Sequence, residues 1–257
     1  MQDQSLSARA PLVEPRDSDT INSDGGGEDV SENNKPRANM WLYVVAGLSL
    51  FGGFQFGWHT GVLNLPENSV IEDLHMHEFG DPVVLWSLIV SMFTLGGMVG
   101  AQSGGYIADT LGRRSWLVWS GVVFIVQGIL QFMAGQKGLR GPAGYGLLAV
   151  GRFLSGFGAG GASVIGPLYL GEIAPQHMRG TFGTLAQFAV VIGIVISQAL
   201  YLAVSQSPGT QLKKNLPSGA DPYPTDWPIL LLISAILGAV QIAVCLLMPE
   251  SPRYLVA

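Results

Sequence analysis

Long apolar stretches alternate along the chain with short polar connectors. Six stretches approach or exceed the roughly 20 residues that a helix needs to cross a hydrocarbon core of about 30 Å. They run from Trp41 to Leu63, Val84 to Ala108, Trp116 to Ala134, Tyr145 to Leu170, Phe182 to Val204 and Pro228 to Met248. The connectors hold nearly all of the charged residues and most of the prolines. The pattern predicts an all-α membrane protein with a bundle of six transmembrane helices over residues 41–248.

Two polar segments flank the predicted bundle. Residues 1–40 hold eight acids and four bases, with Gly25 to Gly27 in a row. This composition offers too little apolar surface to fold, so we expect a disordered acidic tail. Its start has no basic segment followed by an apolar stretch, so a cleavable secretory signal is not predicted. Residues 249–257 are interpreted as the start of a central loop at which the chain is truncated.

The basic residues near the membrane suggest an orientation. Six of them fall on the side of the chain ends, namely Lys35, Arg37, Arg113, Arg114, Arg179 and Arg253, against Lys137, Arg140, Lys213 and Lys214 on the other side. Cytoplasmic loops carry an excess of Lys and Arg, so this majority favours a multi-pass protein with both ends in the cytoplasm. The connector from Asn64 to Val83 has no Lys or Arg and five acids, which suits an outside location.

Composition narrows the class of protein further. Only 12% of the residues are charged, against about 25% in soluble domains, which again indicates a lipid environment. The net charge of -5 comes mostly from residues 1–40, so it indicates neither nucleic acid nor an acidic substrate as a partner. The one cysteine, Cys245, excludes an internal disulfide and a cysteine-based zinc site. No nucleophile–base pair, metal cluster or phosphate loop is evident, so neither an enzyme nor a cofactor is predicted.

Small residues recur at helical spacing in two of the predicted spans. Gly96, Gly100 and Gly104 repeat every four residues in the second, and Gly156 and Gly160 do so in the fourth. Lipid gives helices no hydrophobic drive to associate, and small residues let their backbones approach closely. We therefore expect these two helices to be buried inside the bundle.

Uncharged polar residues form pairs on helix faces in the first and fifth predicted spans. Gln187 and Gln198 lie on one face, three turns apart, and Thr60 and Asn64 lie one turn apart. Polar side chains at membrane depth usually face the bundle interior or a watery cavity, and amides suit a neutral, hydroxyl-rich ligand. The alternative is that these amides only hydrogen-bond helices together.

Two ionisable residues also fall inside the predicted spans. His59 could carry a proton or be a satisfied interior histidine, which we favour. Arg152 lies about two turns into the fourth span, where snorkelling to the interface competes with an internal ion pair. The remaining amides, Gln127 and Gln131, are interpreted as structural.

Acid and base recur at three junctions between spans. Gly105 to Arg114 reads Gly-Tyr-Ile-Ala-Asp-Thr-Leu-Gly-Arg-Arg, Pro167 to Gly180 contains Glu172 and Arg179, and the sixth span is followed by Pro249-Glu250-Ser251-Pro252-Arg253. Exposed ion pairs add only about 0 to 1 kcal/mol each, so they support the fold weakly. A set of weak pairs that form in one state and break in another can bias a conformational equilibrium.

These stretches resemble the signature of the sugar porter family of the major facilitator superfamily. Gly151-Arg152-Phe153 and Gly183-Thr184-Leu185-x-Gln187 match it as well, and the resemblance covers about Trp41 to the end. The resemblance implies the amino-terminal half of a twelve-helix carrier, built from two inverted three-helix repeats and working by alternating access. It implies that Gln187 contacts the sugar and that Thr60 and Asn64 line the same cavity, to which we add Gln198.

The resemblance also implies a network of charges that holds the inner gate shut. The residues assigned to this conformational gate are Asp109, Arg113, Arg114, Glu172, Arg179, Glu250 and Arg253, with Arg152 added from its matching stretch.

The leading hypothesis is facilitative transport of a hexose such as glucose across the plasma membrane, without a cofactor. Its partners are the sugar, the bilayer and a missing carboxy-terminal six-helix half. In proton-coupled family members the corresponding stretch resembles Phe-Gly-Tyr-Asp, and its aspartate carries the proton. This chain has Phe56-Gly57-Trp58-His59 there, without a carboxylate, so uniport is favoured over symport. A third possibility is a six-span chain that transports nothing and pairs with a full-length carrier.

Overall fold

Helices form almost all of this computed structural model, which describes residues 40–205 and 227–247. The α-helices in those residues are α1 (Met40–Gly61), α2 (Glu67–Asp73), α3 (Pro82–Leu111), α4 (Arg113–Ala134), α5 (Pro142–Ile173), α6 (Arg179–Ser205) and α7 (Trp227–Leu247). Single 3₁₀ turns lie at Met76–Glu78, Lys137–Leu139 and Gln176–Met178. The six predicted stretches correspond to α1 and α3 to α7, with ends that differ by three residues or fewer.

Five of the helices, α3 to α7, are long and apolar enough to cross a membrane. α1 has 22 residues but is not among them, so the count of six spans stays a prediction. α2 was not predicted, because its seven residues lie in a connector that reads as polar. The predicted acidic tail and the predicted loop after residue 248 lie outside the described residues.

A one-residue turn joins α3 to α4. Gly112 has a φ of 93°, a backbone region that glycine adopts at little cost, and its N–H donates to the carbonyl of Ala108 at 3.1 Å. The chain therefore reverses at once, and Arg113 begins the next helix.

Glycines join α3 and α5 along a close parallel contact. Gly96 and Gly100 face the carbonyls of Phe153 and Phe157, and a Cβ atom at either glycine would overlap those backbones. The contact is reciprocal, because Gly156 and Gly160 meet the backbones of Phe93 and Gly97 in the same way. The glycines are thus buried between the two helices. The expectation that both helices lie inside the bundle holds for α5 but is wrong for α3, which buries the face that carries Gly96 and Gly100 and exposes most of its other residues.

Two further helix pairs also pack closely through glycine. In the parallel pair of α1 and α6, Gly57 meets the carbonyl of Val190 and Gly193 meets that of Phe54. In the antiparallel pair of α4 and α7, a Cβ at Gly128 would lie 2.7 Å from the backbone nitrogen of Ala235. Glycine thus sets the spacing of all three pairs.

The bundle has two distinct ends. At the α2 end, α2 and the turn after it fold back over the helices and bury Val70, Leu74 and Met76 against Trp86 and Trp227. The other end, here called the junction end, contains the turn at Gly112 and the final residues of α5 and α7. Arg113 and Arg114 follow this turn and contact those residues.

Candidate functional site

Gln187 lines a cavity of about 290 Å³ between α1, α5 and α6, here called the Gln187 cavity. Its walls are Gly53, Phe56, Ala162, Ser163, Gly166, Pro167, Leu170, Ala186, Gln187 and Val190. The Ser163 hydroxyl donates to the carbonyl of Gly160 at 2.7 Å, whereas the Gln187 side chain is exposed. The amide of Gln187 is therefore the most available polar group of a mainly apolar wall.

A second cavity of about 440 Å³ lies between α1, α2, α3 and α5, here called the Arg152 cavity. Its walls are Phe56, Thr60, Leu63, Asn64, Glu67, Trp86, Val90, Phe93, Thr94 and Arg152. The Thr60 hydroxyl donates to the carbonyl of Phe56 at 2.8 Å, one helical turn earlier. This cavity is more polar than the first and contains charged residues of both signs.

Phe56 lines both cavities, so the two adjoin along α1. Thr60 and Asn64 both line the Arg152 cavity, although α1 ends at Gly61 and Asn64 is therefore not on a helix face with Thr60. Gln187 lines the neighbouring cavity. Gln198 is partly buried and lines neither of them. No role was predicted for Phe56 from the sequence, although this residue begins the Phe56-Gly57-Trp58-His59 stretch.

Arg152 is buried in the protein interior, with 3% of its surface exposed. Its Nη1 donates to the carbonyl of His59 at 3.0 Å, and its guanidinium carbon lies 4.7 Å from the centre of the Phe93 ring. Because the side chain is buried, it does not snorkel to the interface. It also forms no ion pair with a carboxylate of the described residues, so neither of the two alternatives from the sequence describes it. It lies twenty residues before Glu172 in α5, about 30 Å away along the helix.

Two other buried polar side chains, His59 and Gln127, differ in their partners. The ring of His59 stacks on Phe124 with centroids 4.7 Å apart, and its Nε2 has no hydrogen-bond partner among the described residues. The Gln127 amide donates to the Ser234 hydroxyl at 2.9 Å and thereby joins α4 to α7. Gln127 thus has the structural role that the sequence predicts.

Of the described residues that were predicted to form the gate, all but Arg152 lie at the junction end. Arg113 Nη2 lies 3.1 Å from Glu172 Oε1 and 3.2 Å from Asp109 Oδ1, and Nη1 donates to the carbonyl of Ala108. Side-chain exposure is 13% for Arg113, 4% for Glu172 and 69% for Asp109. The expectation of exposed, weak pairs is therefore wrong for Arg113 and Glu172, because helix packing covers both side chains.

Two further arginines at this end bind helix carbonyls. Arg114 donates through Nε to the carbonyl of Cys245 at 3.0 Å and through Nη2 to that of Leu246 at 2.8 Å. Both carbonyls lie in the last turn of α7, where the helix dipole favours a cation. Arg179 donates to the carbonyl of Ala174 at 3.3 Å, while Glu250 and Arg253 lie outside the described residues.

The sequence matches a family model described as "Sugar (and other) transporter" over residues 45–257. The chain belongs to this sugar transporter family. Members of the sugar transporter family are transporters rather than enzymes.

Individual members of the sugar transporter family resemble the chain at moderate identity. It is 32% identical over 243 residues to solute carrier family 2, facilitated glucose transporter member 4, of Mus musculus, which covers 89% of this chain and 44% of the relative. The Homo sapiens protein of the same name is 34% identical over 242 residues, 88% of this chain and 43% of the relative. The chain spans less than half the length of these relatives.

Solved structures of sugar transporters share the fold. A D-xylose-proton symporter matches with a TM-score of 0.72 at 22% identity, over 84% of this chain and 50% of that one. The inward-open xylose transporter XylE from E. coli matches with the same score at 23% identity, over the same shares. The chain therefore has the fold of about half of such a transporter.

Proposed function

We propose that the chain forms the first half of a facilitative transporter for a hexose such as glucose, working by alternating access at the plasma membrane. The relatives are facilitated glucose transporters by name, and the chain matches them over nearly nine-tenths of its own length. The hexose and a carboxy-terminal six-helix half are its partners. The α2 end faces outward and both chain ends face the cytoplasm.

The observation that carries this proposal is the pair of cavities that meet at Phe56. Thr60 and Asn64 in one cavity and Gln187 in the other offer uncharged donors and acceptors, which match the hydroxyl groups of a sugar. A ligand moving along α1 meets both groups in turn, with the Phe56 ring between them. Gln198 lies three turns from Gln187 on α6 and acts further along the same path.

The helix pairing supports an arrangement as two inverted repeats. If α1, α3 and α4 form one repeat and α5, α6 and α7 the other, then α1 corresponds to α5, α3 to α6 and α4 to α7. The α3–α5 pair of one repeat arrangement therefore corresponds to the α6–α1 pair. Both pairs are parallel and joined through glycine, and α4 with α7 is antiparallel and maps onto itself. The Arg152 and Gln187 cavities exchange in the same way, as alternating access by inverted repeats requires.

The charges at the junction end act as the inner gate in this proposal. Arg113, Glu172 and Asp109 join the ends of α3, α4 and α5, and Arg114 joins α4 to α7. Opening toward the cytoplasm separates these ends, so the pairs bias the equilibrium toward the form closed on that side. Arg179, Glu250 and Arg253 belong to the same gate, and Arg152 acts on it at a distance through α5.

The experiment is uptake of labelled glucose by cells that express the chain together with the carboxy-terminal half of a facilitated glucose transporter. We expect saturable uptake, and in Gln187→Ala an apparent sugar affinity about tenfold weaker at unchanged surface abundance, because one ligand amide is lost. Phe188→Ala, the exposed neighbour that lines neither cavity, is the matched control. Unchanged affinity in Gln187→Ala would remove this residue from the sugar site.

A proton-coupled symporter is the second candidate. It is supported by one observation, that the solved structures sharing the fold include a D-xylose-proton symporter. Sugar-driven alkalinisation of the medium, abolished in His59→Gln, would establish it, whereas uptake without proton movement would leave uniport. If the chain copurifies with a full-length carrier and adds no uptake, it is a non-transporting partner.

A further inference from the structure

The Arg152 cavity contains a buried positive charge that no carboxylate of the described residues neutralises. Arg152 lies ten residues after Pro142 in α5, about 15 Å from the start of that helix, and 3% of its surface is exposed. A guanidinium stays protonated in proteins, and burying an uncompensated charge is costly. The fold therefore favours any anion that can reach this side chain.

The contacts of Arg152 leave part of its hydrogen-bonding capacity unused. Nη1 donates to the carbonyl of His59, and the Phe93 ring covers one face of the guanidinium. Nε is buried and donates to no acceptor among the described residues. A guanidinium has five N–H donors, so this one retains donors for a ligand in the cavity.

The remaining walls suit an anion as well. Thr94 and Asn64 contribute a hydroxyl and an amide, both capable of donating, and Phe93 and Trp86 supply apolar surface. Glu67 is the one carboxylate among these wall residues, and it does not pair with Arg152. At about 440 Å³ the cavity has room for a small ion that keeps some of its water, since a water occupies roughly 30 Å³.

We propose that the Arg152 cavity binds a small monovalent anion, a halide or a carboxylate, held by the guanidinium of Arg152 and the hydroxyl of Thr94. A single cation in the site matches a single negative charge. Thr60 and Asn64 of the proposed sugar path line the same cavity, but binding of the anion can be tested without an uptake assay.

The test is thermal unfolding of the full chain, purified in detergent, in sodium HEPES with bromide or formate replacing HEPES at constant ionic strength. A ligand that binds only the folded state raises the unfolding midpoint saturably. We expect such a rise with bromide, formate or both, and the comparison identifies which chemistry the site accepts. Arg152→Gln keeps a donor for the His59 carbonyl, removes the charge and should abolish the rise.

Two matched variants test the location. Arg140→Gln removes another partly buried arginine, which does not line the cavity, so the midpoint should fall while the anion-induced rise persists. Glu67→Gln removes the negative charge on the wall and should lower the half-saturating anion concentration several-fold. An unchanged response in Glu67→Gln would contradict binding in this cavity.

A second measurement covers the case in which Arg152→Gln does not fold. Trp86 lines the cavity and is 8% exposed, so iodide bound there should quench its fluorescence saturably, with competition from the stabilising anion. Trp86→Phe should remove the quenched component, and Thr94→Val should weaken iodide binding several-fold. The proposal is overturned if neither anion raises the midpoint, if Arg152→Gln responds like the wild type, or if quenching does not saturate.

Discussion

An arginine pairs with a buried carboxylate at each end of the bundle, and the two pairs differ in what surrounds them. At the α2 end Arg140 binds Asp73, and at the junction end Arg113 binds Glu172. The carboxylates are 3% and 4% exposed and the arginines 16% and 13%, so burial alone does not distinguish the pairs.

The third member of each cluster makes the difference. At the α2 end it is Trp227, whose Nε1 donates to Asp73 Oδ2 at 3.1 Å and whose ring is buried. At the junction end it is a second carboxylate, Asp109, which is 69% exposed. At the α2 end the third member is therefore a neutral, buried hydrogen-bond donor. At the junction end it is a second, solvent-exposed acid with which Arg113 can pair.

This difference predicts that the α2 end is fixed and that the junction end can switch. Asp73 ends α2, Arg140 precedes α5 and Trp227 begins α7, so three distant parts of the chain are held together. Arg113 can release Glu172 and keep Asp109 as a partner, which lowers the cost of separating α5 from α4. The comparison predicts that substitutions at the α2 end cost more folding stability than equivalent ones at the junction end.

The largest effect is expected for Asp73→Asn. Removing one member of a buried ion pair typically costs about 3–5 kcal/mol, and the exposed part of Arg140 places the value near 3 kcal/mol. The measurement is reversible unfolding of the purified chain in mixed detergent micelles. Glu72→Gln, the adjacent acid with an exposed His77 partner, should cost less than about 1 kcal/mol. Equal losses in the two variants would contradict the fixed-end interpretation.

Glu172→Gln should cost less, about 2 kcal/mol, because Asp109 continues to neutralise Arg113. It should also raise the labelling rate of a cysteine introduced at the junction-end wall of the Gln187 cavity, such as Leu170→Cys, by favouring the form open at that end. A stability loss as large as that of Asp73→Asn, without faster labelling, would show that both ends are fixed.

The helices and their closest contacts could be predicted because each depends on local pattern. Apolar stretch length located α1 and α3 to α7, and the repeat of Gly96 and Gly100 indicated a tight helix contact. Each of these features is determined within one helix, where 3.6 residues per turn relate sequence directly to position.

Features that join distant segments could not be predicted. The Asp73–Arg140 pair spans 67 residues between two connectors, and no local signal relates them. α2 is too short for a span-length criterion, although Val70, Ile71 and Leu74 show helical spacing. Gln198 shares a helix face with Gln187 but lines neither cavity, because the neighbouring helices rather than the face decide where a cavity forms.

A smaller effect is expected for Trp227→Phe, which keeps a large buried ring and removes the Nε1 donor. Loss of a hydrogen bond to a charged acceptor should cost about 1.5 kcal/mol, and Asp73 keeps Arg140. In the Asp73→Asn background the same change should cost less, because the acceptor is then uncharged. Equal costs in both backgrounds would show that the indole contributes through packing alone.

Asp109→Asn should have the smallest effect, below about 1 kcal/mol, since its carboxylate is mostly exposed and Arg113 retains Glu172. Its role should emerge when Glu172 is already changed, because Asp109 is then the acid that remains 3.2 Å from Arg113. The double variant Asp109→Asn, Glu172→Gln should lose about 1 kcal/mol more than the sum of the single losses. Unfolding of the two single variants and the double variant in the same micelles measures this coupling. Additive losses would mean that the two acids do not substitute for each other, and the junction end would then be no more switchable than the α2 end.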